Sequence, residues 1–326
     1  MTVHVVVGPE RHGVVAHARL LLRQPALTDD QVIRAPDARR ASECLRAHRS
    51  AHVHLHFTDR LFGGVARAAS AVAALTAGHS FSVTLHDLPQ ASDGQHFAAR
   101  RATYLRIAQD SSLVVVSSAH EARLLHALGP LDTPVEVVPL PITPPQREAR
   151  PDGDAIAMAG FVYPGKGHER VLAAMAGLPP SARLLNLGAP SEGHAELADR
   201  YAARAARLGR DFSCSGYLSE PDLLDAMATV RVPVAAPEHV SASGSLTVWN
   251  AAGRRPLTTR NAFAREVAAR NPHALRIVDD LPAAVERAWH EPEWTVLPRG
   301  VELQPTPASA ARRVAQTLAT VATEVR

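Results

Sequence analysis

Along the whole chain, short runs rich in Val, Ile and Leu alternate with longer stretches in which apolar residues recur every three to four positions. The first pattern predicts strands buried on both faces and the second predicts helices, so the alternation implies parallel sheets covered on both sides. In the amino-terminal half, strands are expected at 3–8, 31–35, 51–57, 80–86, 112–117 and 135–140, with helices at 14–23, 58–77, 95–109 and 119–128. A second series follows, with strands at 155–162, 183–187, 211–215, 231–235 and 256–259 and helices at 168–175, 191–208, 220–228 and 245–252. A last helical pattern covers Pro307 to Val325.

Between the two series, the segment from Pro139 to Pro145 carries four prolines in seven positions, which neither regular element sustains. The boundary therefore falls there. It separates an amino-terminal domain over 1–143 from a carboxyl-terminal domain over 154–306, and leaves a helix over 307–326 placed to cross back to the first domain. A chain of 326 residues is long enough for each half to bury its own core.

Hydrophobic residues make up 46% of the chain and charged residues 21%, a globular balance. No apolar run approaches the roughly 18 residues of a membrane span. The start, Met1 to Gly8, lacks a basic segment before its apolar run and reads as a strand rather than a signal peptide, so a cytoplasmic location is expected. Two cysteines, Cys44 and Cys214, fall in different domains and suit neither a disulfide nor a cysteine metal site. The net charge of +3 comes from arginines interspersed with acids along helices, which argues against a nucleic-acid stripe and leaves peripheral membrane contact open.

One compositional fact is sharper. Of 35 basic residues only Lys166 is a lysine, and it stands between Gly165 and Gly167. A compact ammonium on a close-lying backbone suits a phosphate better than a broad guanidinium fork does. In open parallel sheets the binding crevice lies beyond the carboxyl ends of the strands, so residues just after each strand carry the most information. After the first strand, Gly8 to Gly13 forms a glycine-bounded turn into a helix. After the strand at 155, Gly160 to Glu169 does so again with Lys166 inside it, and without the pattern of a P-loop. A third element, Pro237 to Asn250, opens a helix with Ser243, Gly244, Ser245 and Leu246, whose amides and hydroxyls suit a second phosphate. His52, His54 and His56 share one face of a strand and suggest a metal, but no partner carboxylate is visible nearby in sequence, so no metal is expected.

Taken in order, the glycine turn at Gly8–Gly13, the Gly-x-x-x-x-Lys-Gly segment at Gly160–Gly167 and the string Gly216-Tyr217-Leu218 resemble the retaining family 4 glycosyltransferases. Val116-Ser117-Ser118 and Val138-Pro139-Leu140-Pro141-Ile142 resemble that family's close of its first domain, and the resemblance runs over nearly the whole chain. It implies an α/β chain of the GT-B fold, with two Rossmann-like domains whose parallel sheets face a central cleft. The implied activity moves a sugar from a nucleoside diphosphate sugar to a hydroxyl acceptor, with retention at the anomeric carbon and no metal. The donor is a co-substrate and no cofactor is implied. Diphosphate contacts fall on Gly13, Gly165, Lys166, Gly167 and Ser243 to Leu246. The nucleotide and ribose fall on Gly216, Tyr217, Leu218 and Asn250, and the donor sugar on Glu238 and His239. His86, in Thr84-Leu85-His86-Asp87, looks like the family's histidine near the transferred sugar and joins Lys166 as a catalytic candidate. His12, Arg60 and Asp87, with Arg11, Asp59 and Gln90 to Asp93 nearby, are expected to face the acceptor, which the sequence does not identify.

The chain departs from the family at the third element. The family's two carboxylates, eight positions apart, fall here on Ala242 and Asn250, and Glu238 is the only acid between Pro237 and Gly253. Phe161 replaces the arginine that usually follows the second-domain glycine. Asn250 retains hydrogen-bonding capacity for a ribose hydroxyl. Two alternatives stay open: a non-catalytic GT-B subunit that binds a nucleotide or a partner transferase, and a sugar-nucleotide epimerase of the same architecture.

Overall fold

The structure, a computed structural model, describes residues 2–48 and 51–324. The chain divides into two compact units, Met1–Pro141 together with Pro305–Arg326, and Ile142–Gln304.

The first unit alternates β1 (Thr2–Val7), α1 (Gly13–Leu22), β2 (Gln31–Ala35), α2 (Ala38–Leu45), β3 (His52–Phe57), α3 (Val65–Thr76), β4 (Phe81–Leu85), α4 (Phe97–Asp110), β5 (Leu113–Val116), α5 (Ala119–Leu128) and β6 (Val135–Val137). All six strands are parallel, in the order β2-β1-β3-β4-β5-β6. β1, β3, β4 and β5 are buried at every position, as strands covered on both faces must be. Helix starts follow local chemistry: the side chains of His12, Asp37 and Ser118 accept from Val14, Arg40 and Glu121 backbone amides.

The second unit runs β7 (Ala155–Ala159), α6 (His168–Ala174), β8 (Arg183–Leu187), α7 (Glu196–Arg207), β9 (Phe212–Cys214), α8 (Glu220–Thr229), β10 (Val232–Pro233), α9 (Gly244–Ala251), β11 (Leu257–Thr259), α10 (Ala262–Arg270), β12 (Arg276–Val278) and α11 (Leu281–His290). Its main sheet has the order β10-β7-β8-β9, and a parallel pair β11-β12 continues it through one bridge, Val234 to Leu257. The buried Arg254 guanidinium closes the end of α8 by donating to the carbonyls of Met227 and Ala228, and to Arg231 and Thr295 beyond it. The last helix, α12 (Pro307–Glu324), lays Ala310, Ala311, Val314 and Leu318 against Val15, Leu21 and Leu27 of the first unit. Its expected end at Val325 lies outside the described residues.

Several elements differ from the sequence expectation. The single helix expected over 58–77 is broken, because Gly63 and Gly64 both take positive φ and divide a short 3-10 turn, Asp59–Phe62, from α3. The strand expected to reach Val162 stops at Ala159, where Gly160 turns at φ +93°. The long helix expected from Ser191 begins only at Glu196. α2, α10, β12 and α11 have no counterpart in the sequence expectation.

Candidate functional site

A parallel sheet opens a crevice where its strand order reverses, because the loops leaving two neighbouring strands then turn to opposite faces. In the second unit that point lies between β7 and β10. The loop after β7, 160–167, and the loop after β10, 234–243, meet there. Gly167 takes φ +100°, and a Cβ on it would stand 2.1 Å from the Ala236 carbonyl oxygen, so only glycine admits this approach. On the other side of Lys166, the Gly165 carbonyl accepts from the Glu238 amide at 2.9 Å.

Between these clamps sits Lys166, 5% exposed. Its Nζ donates to Ser245 Oγ at 2.9 Å, and Ser245 Oγ lies 3.0 Å from Ser243 Oγ. The ammonium also lies 5.4 Å from the Tyr163 ring centre. Among the described residues it makes no ion pair with a carboxylate, and burial alone brings it down to about 8. Its nearest polar partner is therefore a hydroxyl at the head of α9. As the first residues of that helix, Gly244 and Ser245 have no carbonyl one turn behind them to take their amides. A buried cation, two hydroxyls and two helix-terminal amides thus converge on one place, a constellation that favours an anion.

A second line of contacts fixes the loop from below. His168 Nε2 meets Asn186 Oδ1 at 3.0 Å, and Asn186 Nδ2 donates to the Gly160 carbonyl at 3.0 Å. The asparagine's second donation fixes its oxygen toward the histidine, so His168 carries its proton on Nε2. The ring stacks on Tyr201, and burial brings His168 down to about 4. Sequence reading missed this pair. Its only signal was a polar Asn inside the apolar string of β8.

The loop after β9 leaves from the same carboxyl end of the sheet, at the edge opposite β10. Gly216 takes φ +71°, Ser215 Oγ accepts from the Gly188 amide at 3.0 Å, and Tyr217 stands 60% exposed. Leu218 packs instead with the cluster around Trp249. Glu238 and His239 are exposed beside the β10 loop. Two expected contacts are corrected. Asn250 is fully buried, and its Nδ2 donates to the Arg254 and Ala274 carbonyls at 3.0 and 2.8 Å, so it braces the backbone and is closed to a ribose. The Leu246 amide donates to the Ser243 carbonyl at 3.1 Å and its side chain is buried, which removes it from the anion site.

In the first unit the order reverses between β1 and β3. His12 is lowered by burial and by the nearby Arg60 charge and raised by Asp87, so these three share one locality. His12 Nδ1 is occupied as the cap of α1. Asp59, expected on the acceptor surface, is buried against Arg100, which also binds Asp87 at 3.0 Å and Asp93 at 2.7 Å. The three carboxylates tie the loops after β3 and β4 to α4. His86 lies just past β4, and its ring packs edge-on to His17 at 5.3 Å, with Nε2 buried and without a hydrogen-bond partner among the described residues. Burial pushes it well below the usual imidazole range. Gly13 begins α1 and belongs to this unit.

No protein-family model and no curated protein matches the sequence. Solved structures do match over nearly the full chain. HepE of Anabaena, determined with UDP and glucose, is 13% identical with a TM-score of 0.73, over 99% of each chain. Sucrose-phosphate synthase of Thermosynechococcus elongatus is 15% identical with a TM-score of 0.70, over 99% of this chain and 97% of that one. A glycosyltransferase of Rickettsia africae is 13% identical with a TM-score of 0.60, over 99% and 98%. The fold is GT-B. In this GT-B chain the convergent cation, hydroxyls and amides all belong to the carboxyl-terminal sheet, at its switch point.

Proposed function

We propose that the protein is a glycosyltransferase that takes a sugar from a nucleoside diphosphate sugar and passes it to a hydroxyl acceptor, with retention and without a metal. The observation that carries this reading is the buried Lys166 ammonium, bonded to Ser245 at the head of α9 and unpaired with any carboxylate among the described residues. The GT-B fold and the UDP and glucose bound by HepE support the donor class.

In this reading the donor diphosphate lies on Lys166, the Ser243 and Ser245 hydroxyls and the amides of Gly244 and Ser245. Gly165 and Gly167 hold the loop in place, and Tyr217 offers a ring face to the base at the end of β9. The bond between the anomeric carbon and the phosphate oxygen breaks, the acceptor oxygen forms the new bond on the same face, and its proton passes to the departing phosphate oxygen. No protein base is required. Lys166 and the helix amides stabilise charge that grows on the leaving oxygen, and such preorganised donors act most strongly where water is excluded. Glu238 and His239 stand nearest for sugar hydroxyls, while His86, His12, Arg60 and Asp87 serve the acceptor side. A cytoplasmic setting belongs to the same proposal.

Replacing Lys166 by alanine tests it. Removing one such donor lowers turnover by about 100- to 1000-fold. Unchanged turnover in K166A, across a panel of nucleotide sugars accepted by the wild-type protein, would falsify the assignment. One observation favours a second reading, a nucleotide-binding subunit without turnover: the family's carboxylate pair is absent, and Asn250 at the second position is sealed in the core. Calorimetric binding of a nucleoside diphosphate with no donor turnover over the same panel selects that reading.

A further inference from the structure

Inside the first sheet, three imidazoles pack together, and three of their six ring nitrogens have no hydrogen-bond partner among the described residues. His4 on β1 and His54 and His56 on β3 are 0%, 0% and 2% exposed. His4 sits opposite His54 in the register of the two strands, and the period of two along β3 brings His56 to the same face. One ring nitrogen from each lies within 4.8 Å of the others. Both nitrogens of His56 and Nδ1 of His4 are buried without a hydrogen-bond partner among the described residues, a cost that native cores rarely leave standing without a purpose.

Asp30 stands beside this cluster. Its carboxylate lies 3.3 Å from His4 Nε2 and accepts the Thr2 amide at 2.9 Å. A carboxylate on the far nitrogen is the usual partner of a metal-ligating histidine, since it fixes the tautomer and leaves the other nitrogen bare. Here that bare atom is the unpartnered His4 Nδ1. His54 is bracketed by the hydroxyls of Ser82 and Thr84 at 2.8 and 2.9 Å, so either can hold one nitrogen while the other ligates. Burial holds His54 and His56 well below the usual imidazole range, in the uncharged form that binds metals. The sequence expectation of no metal rested on the lack of a nearby carboxylate. Asp30 supplies it from 26 residues away, by pairing of β1 with the start of β2.

We propose that His4, His54 and His56 form a site for a zinc-class divalent ion that ties β1 to β3, with Asp30 orienting His4. Three imidazoles suit Zn2+ or Co2+ and leave a fourth position for a solvent oxygen. The site belongs to the first unit and shares no residue with the anion site around Lys166.

The test uses the full-length, tag-free protein, stripped with a chelator and dialysed against micromolar free Zn2+. One zinc per chain is expected, with a rise in melting temperature, and Co2+ should give the intense visible absorption of a four-coordinate ion. His56→Gln should lose stoichiometric zinc. Asp30→Asn keeps all three imidazoles at a partly exposed position and should weaken zinc binding by about 10- to 100-fold. If His56→Gln fails to fold, the cobalt spectrum and Asp30→Asn decide. Failure of the stripped wild-type protein to take up zinc overturns the proposal. So does wild-type zinc affinity in the folded variants, which would assign the ion to other histidines among the 17.

Discussion

Lys166 is held in two conflicting ways, and the conflict predicts opposite pH trends for stability and for binding. Burial lowers its ammonium to about 8, against an ordinary value of 10.5. Between these values the unfolded chain binds more protons than the folded one, so the stability of the ligand-free protein rises as pH increases through this window. The gain is about 3 kcal/mol at full effect. A bound diphosphate needs the charged form, so its affinity should fall about tenfold per pH unit above about 8. Titration with UDP from pH 7 to 9.5, alongside chemical denaturation at each pH, measures both slopes. Parallel slopes would show that the ammonium does not meet the ligand. Its neighbour gives a steric test. Gly167→Ala places a Cβ 2.1 Å from the Ala236 oxygen in a positive-φ position, so the two loops must separate. We expect a loss of several kcal/mol in the second unit together with the UDP site, read by thermal unfolding and calorimetry. Lys166 was legible in the sequence because a lone lysine among arginines needs no structure to be noticed. The sealing of Asn250 was not, since an amide that binds carbonyls of Arg254 and Ala274 looks in sequence like one free to meet a ligand.

Among the elements, the β7 strand and α6 are joined by a bridge that only the fold reveals. His168 at the start of α6 reaches Asn186 on β8, which holds the Gly160 carbonyl at the end of β7. Burial lowers His168 to about 4 from its ordinary 6.5. Below the ordinary value the unfolded chain takes up a proton that the folded chain refuses, so stability falls as pH drops from about 6.5 toward 4. The loss attributable to this ring approaches 3 kcal/mol. His168→Gln retains an N–H for Asn186 and should flatten this acid limb relative to wild type. The quantity to compare is the change in unfolding free energy between pH 7 and 5, and an unaltered difference would exclude His168 as its source. The alternation of strands and helices was readable because β-branched runs covered on both faces leave a plain apolar signature. The reversals in strand order were not. They depend on which strands pair at long range, and nothing local in the strand expected at 231–235 tells that β10 joins the sheet beside β7.

At the level of the whole molecule, the chain passes between the two units twice. After completing the second unit, the polypeptide comes back and buries one face of α12 on α1 and the turn at Pro25–Leu27. The proline-rich stretch near 140 marked one crossing between units. The helical pattern after Pro307 marked the segment of the second crossing, but its destination was written only in a stripe of small and apolar residues, Ala310, Ala311, Val314, Leu318 and Val321. Leu318 is buried in that stripe, so Leu318→Ala removes apolar volume from the first unit and should cost about 2–5 kcal/mol there. For a unit of this size the melting transition should fall by about 5–15 °C. Lys166, Ser243, Gly244 and Ser245, the groups proposed to hold the donor diphosphate, all belong to Ile142–Gln304, which α12 does not build. The same variant should therefore bind UDP at 20 °C with wild-type affinity while its first unit melts early. Scanning calorimetry with and without UDP separates the two effects: the ligand should raise the transition of the second unit in both proteins by the same amount. A loss of UDP affinity matching the loss of stability would mean that the phosphate site depends on the packing of the first unit, contrary to the assignment around Lys166.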